Sequence, residues 1–138
     1  MERLRRRILA LGGIALTGPV LAGLPRAARA AGGDGARLRI GIVGSGRVGG
    51  TLGSVWAKAG HQVMLSSRDI EHDRALAARL GPNASAGTPR EAAAFGDVVV
   101  VSVPYRALPD VGKALADVIR DKVVIDTCNP FEGRDGEI

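Results

Sequence analysis

From residue 38 onward the chain alternates short apolar runs with longer stretches of helical periodicity. Residues 38–43 form an apolar run ending at glycine, the pattern of a strand buried on both faces of a parallel sheet. Val48, Leu52, Val55, Trp56 and Ala59 then recur at helical spacing as one apolar face, and Gly60 stops that helix. Residues 62–66 read as a second strand. Residues 69–80 read as a helix with Ala75, Leu76 and Leu80 inward, ended by Gly81 and Pro82. Residues 83–87 form a weak third strand, and Thr88, Pro89 and Glu91 make a capping box with proline at the first helical position. Four successive valines at 98–101 give the strongest strand of the chain. Residues 105–119 are helical, with Leu108, Val111, Leu115 and Val118 on one face, and residues 122–126 form a fifth strand. Strands alternating with helices imply an α/β fold with a parallel sheet and right-handed crossovers.

The first thirty residues follow another logic. Arg5, Arg6 and Arg7 precede a stretch, residues 8–25, that carries no charge, and Ala28-Arg29-Ala30 is a small-x-small cleavage pattern. Arg5-Arg6-Arg7-Ile8-Leu9 resembles a twin-arginine signal. The expectation is a signal peptide over residues 1–30, a glycine-rich linker over 31–37 and a folded domain over 38–138, exported to the periplasm or another extracytoplasmic space. Membrane contact is then expected only through the export signal. The alternative is an uncleaved membrane anchor, because 18 uncharged residues just reach the spanning length of roughly 18–20.

Composition narrows the function classes. With one Trp, one Tyr and two Phe, the core must be built from Val, Leu, Ile and Ala. The net charge of +5 suggests nucleic acid, but residues 1–30 hold six Arg and one Glu, while residues 31–138 hold 13 basic and 13 acidic side chains. The folded part therefore has no basic excess for phosphate-backbone binding, and no nucleic-acid partner is expected. A single cysteine, Cys128, excludes an intramolecular disulfide and a multi-cysteine metal site, and no metal is expected.

The chemistry centres on Gly44-Ser45-Gly46-Arg47-Val48-Gly49, which matches G-x-G-x-x-G between a strand and a helix. Gly44 permits the tight turn, Gly46 keeps a side chain away from a pyrophosphate, and Gly49 lets helix and strand pack closely. The helix N-terminus offers free N–H groups to the phosphates. The fold class expected is thus a Rossmann-type doubly wound parallel sheet that binds a dinucleotide, the alternative being an ordinary glycine-rich turn between strand and helix.

The end of the second strand selects the dinucleotide. NAD-specific domains carry an acid about 20 residues past the motif, bonded to the ribose 2′-hydroxyl. Here Ser67 and Arg68 stand in its place, suited to a 2′-phosphate, and the cofactor expected is NADP. The competing reading makes Ser67 a helix N-cap with Arg68 solvated, and a shift of one residue would bring Asp69 to the acidic position. Arg47, His72 and Arg74 are secondary candidates for phosphate contact, with a solvated surface role as the alternative.

Ligands in this fold lie beyond the carboxyl ends of the strands. Ser102, Val103 and Pro104, at the end of the fourth strand, are therefore expected on the nicotinamide side, with Tyr105 either beside them or capping the core. After the fifth strand, Asn129 either bonds the nicotinamide carboxamide or forms an Asx turn with Pro130. Cys128 reads as a small apolar filler, and no catalytic acid or base is assigned.

Residues 39–49, the Ser66-Ser67-Arg68 ending and the run from Asp126 to Pro130 resemble the NADP-binding domain of coenzyme F420-dependent NADP oxidoreductases. The resemblance implies hydride transfer between NADP(H) and a deazaflavin, coenzyme F420, stacked against the nicotinamide. It implies cofactor contacts from Gly44, Gly46, Gly49, Ser67 and Arg68, with Pro104 and Asn129 near the nicotinamide. Family members continue further, so the sheet is expected to be cut short after its fifth strand. The partners expected are a small-molecule redox substrate and, optionally, a second copy in a homodimer. Rival readings are an NADP-dependent reductase of another substrate, such as a β-hydroxyacid, an imine or a ferric centre, and a non-catalytic exported NADP-binding module.

Overall fold

The computed structural model of the chain describes residues 36–136. The expected signal peptide, and all but the last two residues of the expected linker, lie outside the described residues. Strands β1 (Arg39–Val43), β2 (Gln62–Ser66), β3 (Ala84–Ala86), β4 (Val98–Val101) and β5 (Val123–Asp126) form one sheet in the order β3-β2-β1-β4-β5. Every pairing is parallel, and Ile42 of β1 lies between Leu65 of β2 and Val100 of β4. Helices α1 (Arg47–Lys58), α2 (Ile70–Leu80), α3 (Pro89–Phe95) and α4 (Leu108–Ile119) link the strands, and a single turn, α5 (Glu132–Asp135), follows β5. This is the doubly wound α/β arrangement implied by the alternating pattern.

The sheet separates two cores. On one face Ile40, Ile42, Val63 and Leu65 meet α1 and α2 through Ala57 and Ala77. On the other, Val43, Val99 and Val101 meet α3 and α4 through Ala93 and Leu115. The strand order reverses at β1, where the chain goes out to β3 and then crosses to β4. That reversal opens a crevice at the carboxyl ends of β1 and β4. The capping box forms as expected: Glu91 N–H donates to the Thr88 hydroxyl at 3.2 Å and Thr88 N–H to the Glu91 carboxylate at 2.7 Å.

Two helical faces differ from the sequence expectation. In α1 the buried residues are Gly49, Gly50, Gly53 and Ala57, while Val48 and Val55 are half exposed and Leu52 and Trp56 pack at the margin. The reason is distance. The glycine stripe lets the helix approach the sheet closely, and a Cβ on Gly53 would already lie 2.8 Å from the Leu65 side chain. In α2 the fully buried side chain is not Ala75, which is exposed, but Asp73. The fifth strand forms as expected but is left uncovered, with Val123, Val124 and Ile125 all exposed at the sheet edge.

Two substitutions test this orientation of α1. Gly53→Val should overpack the helix–sheet contact and lower stability by about 1–3 kcal/mol or more. Val55→Ala should fall within about 0.5 kcal/mol of the parent. Urea denaturation reads both, and the opposite ranking would mean that the valine face points inward.

Candidate functional site

The site grows out of the bend between β1 and α1. Gly44 takes φ +102°, a conformation open to glycine, and a Cβ there would lie 2.2 Å from the Ser102 carbonyl oxygen. Gly44 N–H and Ser45 N–H both donate to the Ser66 carbonyl at 2.8 Å, which ties the bend to the end of β2. The Ser66 hydroxyl in turn donates to the Ile42 carbonyl at 2.6 Å. Gly46 is the N-cap of α1, and no side chain caps the helix or places an acid in its first turn. The first-turn amides thus remain open to an anion, with the helix dipole behind them. A Cβ on Gly46 would meet nothing within 4 Å, so the space above the bend is clear for a bound group.

Among the described residues, three clefts border Gly46, and two of them also reach the end of β4. The first, of about 550 Å³, is lined by Gly44, Ser67, Arg68, Val103, Ala107 and Val111 among others. The second, of about 310 Å³, is lined by Arg47, Val48, Cys128, Asn129, Phe131 and Arg134 among others. Ser102, Val103, Pro104 and Gly46 border both, forming the ridge between them. The fourth-strand ending expected on the nicotinamide side therefore faces both halves of the crevice. Tyr105 borders neither cleft and stands 38% exposed, so it does not cap the core either.

The structure separates the sequence-derived site residues into two groups. Gly44, Gly46, Ser67 and Arg68 meet at the first cleft, and Arg47, Val48 and Asn129 at the second. Gly49 lies beneath the bend, where a Cβ would come 2.0 Å from the Gly44 carbonyl oxygen. Ser45 faces neither cleft. It is buried, and its hydroxyl donates to the Asp73 carboxylate. The Ser67 hydroxyl also turns inward, donating to Asp73 Oδ2 at 2.8 Å and accepting from Asp69 N–H at 3.1 Å. Asp69, not Ser67, is the N-cap of α2: its carboxylate accepts from His72 N–H at 3.0 Å. The acid that a one-residue shift would have offered to a ribose is engaged in that cap. Arg68 is exposed, with no partner among the described residues, and is the only basic side chain lining the first cleft. Arg74 pairs with Glu71 at 2.6 Å on the surface, and His72 lies beside Asp73.

At the second cleft the Asx-type bond comes from Asp126, whose carboxylate accepts from Cys128 N–H at 2.8 Å. Asn129 lines the cleft, and its carbonyl accepts from Arg134 at 2.8 Å. Arg134 also grips Asp135 at 2.7 Å, holding that carboxyl below its usual range, and lies over the Phe131 ring. Cys128 accepts from Val103 N–H at 3.3 Å, and burial, then Asp126, push its thiol above the usual value. A protonated, partly buried thiol is a spacer and not a nucleophile. As site residues, Phe131, Arg134 and Ala107 escaped the sequence reading, and Val111 was read only as part of the apolar face of its helix. Asp73 escaped it too, although its charge among Ile70, Ala77 and Leu80 at helical spacing was a visible signal.

Comparison with known proteins places this geometry. Residues 39–130 match the family model described as NADP oxidoreductase, coenzyme F420-dependent. An F420-dependent NADP reductase from Methanothermobacter thermautotrophicus is 32% identical over 103 residues, covering 69% of this chain and 44% of that protein. Among solved structures, a candidate F420-dependent NADP reductase from Arthrobacter sp. superimposes with TM-score 0.58 at 24% identity, over 67% of this chain and 46% of that one. An imine reductase from Myxococcus stipitatus in complex with NAD+ gives TM-score 0.61 at 20% identity, over 71% and 34%. At these identities the two structures show the fold alone. The chain spans less than half the length of each of these relatives.

Cys128 should react with iodoacetamide at pH 8 several-fold more slowly than a free cysteine, because the thiolate is the reacting form and burial disfavours it. Reaction at the rate of the free amino acid would mean an exposed, activated thiol.

Proposed function

The chain belongs to the family of coenzyme F420-dependent NADP oxidoreductases, and from that premise we propose that residues 38–136 hold NADP across the crevice, with the deazaflavin coenzyme F420 as hydride partner. The pyrophosphate rests on the open amides at the start of α1, above Gly46. The adenosine half occupies the first cleft, with its 2′-phosphate against Arg68, and the nicotinamide half occupies the second, beside Asn129 and Pro104. The observation that carries the reading is the pairing of Arg68, which lines the cleft with no partner among the described residues, with an Asp69 already engaged as helix cap. A dianionic sugar phosphate finds a guanidinium donor there, at the end of β2 where NAD-specific domains present an acid.

NADP(H), when bound, supplies or accepts the hydride. The residues of this chain bind and orient it. The ridge of Ser102, Val103 and Pro104 sets the floor shared by the two halves. Positioning two flat rings and excluding water is most of what such a transfer needs from a protein. That agrees with the Asn129 amide and the apolar Val48 and Phe131, and no imidazole or ammonium group, at the second cleft. The F420-dependent relative at 32% identity supports the deazaflavin as the acceptor. We further assign residues 1–30 to an export signal of the twin-arginine type, carrying the domain out of the cytoplasm already folded.

Fluorescence titration should show NADPH binding to the purified chain. Arg68→Ala should weaken that binding by about 1–3 kcal/mol and barely alter NADH, as for loss of a charge-assisted hydrogen bond. Equal losses for both cofactors would remove the NADP assignment. Oxidation of NADPH coupled to deazaflavin reduction tests the reaction. Binding without turnover would assign this chain the role of nucleotide holder.

A further inference from the structure

Asp73 is fully buried behind the first cleft, and the proposed function gives it no task. Its carboxylate accepts from the Ser45 hydroxyl through Oδ1 and from the Ser67 hydroxyl through Oδ2 at 2.8 Å, and His72 Nδ1 lies 3.3 Å from Oδ1. Ser45 belongs to the glycine bend and Ser67 to the turn after β2. One carboxylate therefore joins the two loops that form the adenosine half of the site. A buried carboxylate is costly unless it is hydrogen-bonded, which accounts for both hydroxyls pointing inward.

The consequence lies in proton counting. A serine hydroxyl has one proton and two lone pairs. The Ser67 proton has two inward acceptors, the charged Asp73 Oδ2 at 2.8 Å and the more distant Asp69 carbonyl at 3.1 Å, and the Ser67 oxygen already accepts from Asp69 N–H at 3.1 Å. Ser67, which lines the cleft, thus has no proton to offer a phosphate, and Arg68 is left as the only basic side chain there. The buried charge also stands behind the position of a dianion. We propose that Asp73 is a specificity-determining residue: by drawing the Ser45 and Ser67 protons inward and keeping a negative charge behind the cleft, it confines recognition of the 2′-phosphate to Arg68 and moderates the preference for NADPH over NADH. The proposal rests on the reading of the crevice as an NADP site.

Asp73→Asn retains the shape and removes the charge. The amide oxygen still accepts one serine proton, while the amide nitrogen donates to the other serine and frees its proton for the ligand. The ratio of NADPH to NADH affinity should then rise by about three- to tenfold, the scale expected for removing one charge near another across a partly wet protein edge. A purely structural clamp would weaken both cofactors together and leave the ratio unchanged, and that result overturns the proposal. Arg68→Ala, on an exposed turn, supplies an arm that does not depend on the fold of the Asp73 variant. Arg68→Ala should lose most of the NADPH preference, and a clear residual preference that a further Ser67→Ala abolishes would show that Ser67 donates, against the proposal. If the parent chain binds neither cofactor, the reading of the crevice fails and this role of Asp73 goes with it. Binding by the parent with an unmoved ratio in Asp73→Asn removes the role alone.

Discussion

Helix α1 rests almost on the backbone of the bend from which it grows. A single Cβ at Gly49 would come 2.0 Å from the Gly44 carbonyl oxygen, and one at Gly44 would come 2.2 Å from the Ser102 carbonyl oxygen. The bend is held between the helix behind it and the end of β4 beside it. Because nothing larger than hydrogen fits in these two places, the first turn of α1 is brought directly over the strand ends. Its uncapped amides then open at the point where the strand order reverses. The same close approach continues along the helix through Gly53 and Ala57, which is why its valines turn outward.

Around this contact lie three of the four buried polar side chains among the described residues, Ser45, Ser66 and Asp73. Ser66 receives the two amides of the bend on its carbonyl and gives its hydroxyl to β1. Asp73 gathers the hydroxyls of Ser45 and Ser67 from two sides. In a domain otherwise packed with Val, Ile, Leu and Ala, this network fixes the mutual position of loops that an aliphatic core would hold only loosely. The two acids near the end of β2 have opposite settings. Asp69 is exposed and caps a helix, while Asp73 is buried and organises the loops. Asp69 is engaged through Oδ1 with His72 N–H, Asp73 is turned inward, and Arg68 is the one basic side chain lining the first cleft among the described residues.

The far side of the sheet is built differently. β5 is exposed on both faces, and α4 fully buries only Leu115. Strands of parallel sheets are ordinarily covered on both faces. The turn after β5 nevertheless bends back to the mouth, where Asp126 accepts from Cys128 N–H, Arg134 donates to the Asn129 carbonyl, and Cys128, Asn129 and Arg134 complete the second cleft.

The alternation of strands and helices, the glycine bend, the capping box at Thr88 and the arginine after β2 were all legible in the residues themselves. Each of these depends on local chemistry: which backbone angles glycine allows, which side chain caps a helix, which charge suits a phosphate. What one residue does to another across the fold was not legible. Periodicity assigned Val48 and Val55 inward, because it counts apolar residues and cannot see that a helix seated on glycines brings its narrow face to the sheet. It offered Ser67 as a donor to a ligand, because only the folded chain brings Asp73, six residues later and one helical turn in, within reach of that proton. The sequence alone determined the kind of site; tertiary structure decided which donors face the ligand, since a hydrogen bond is committed by distance and burial and not by residue type.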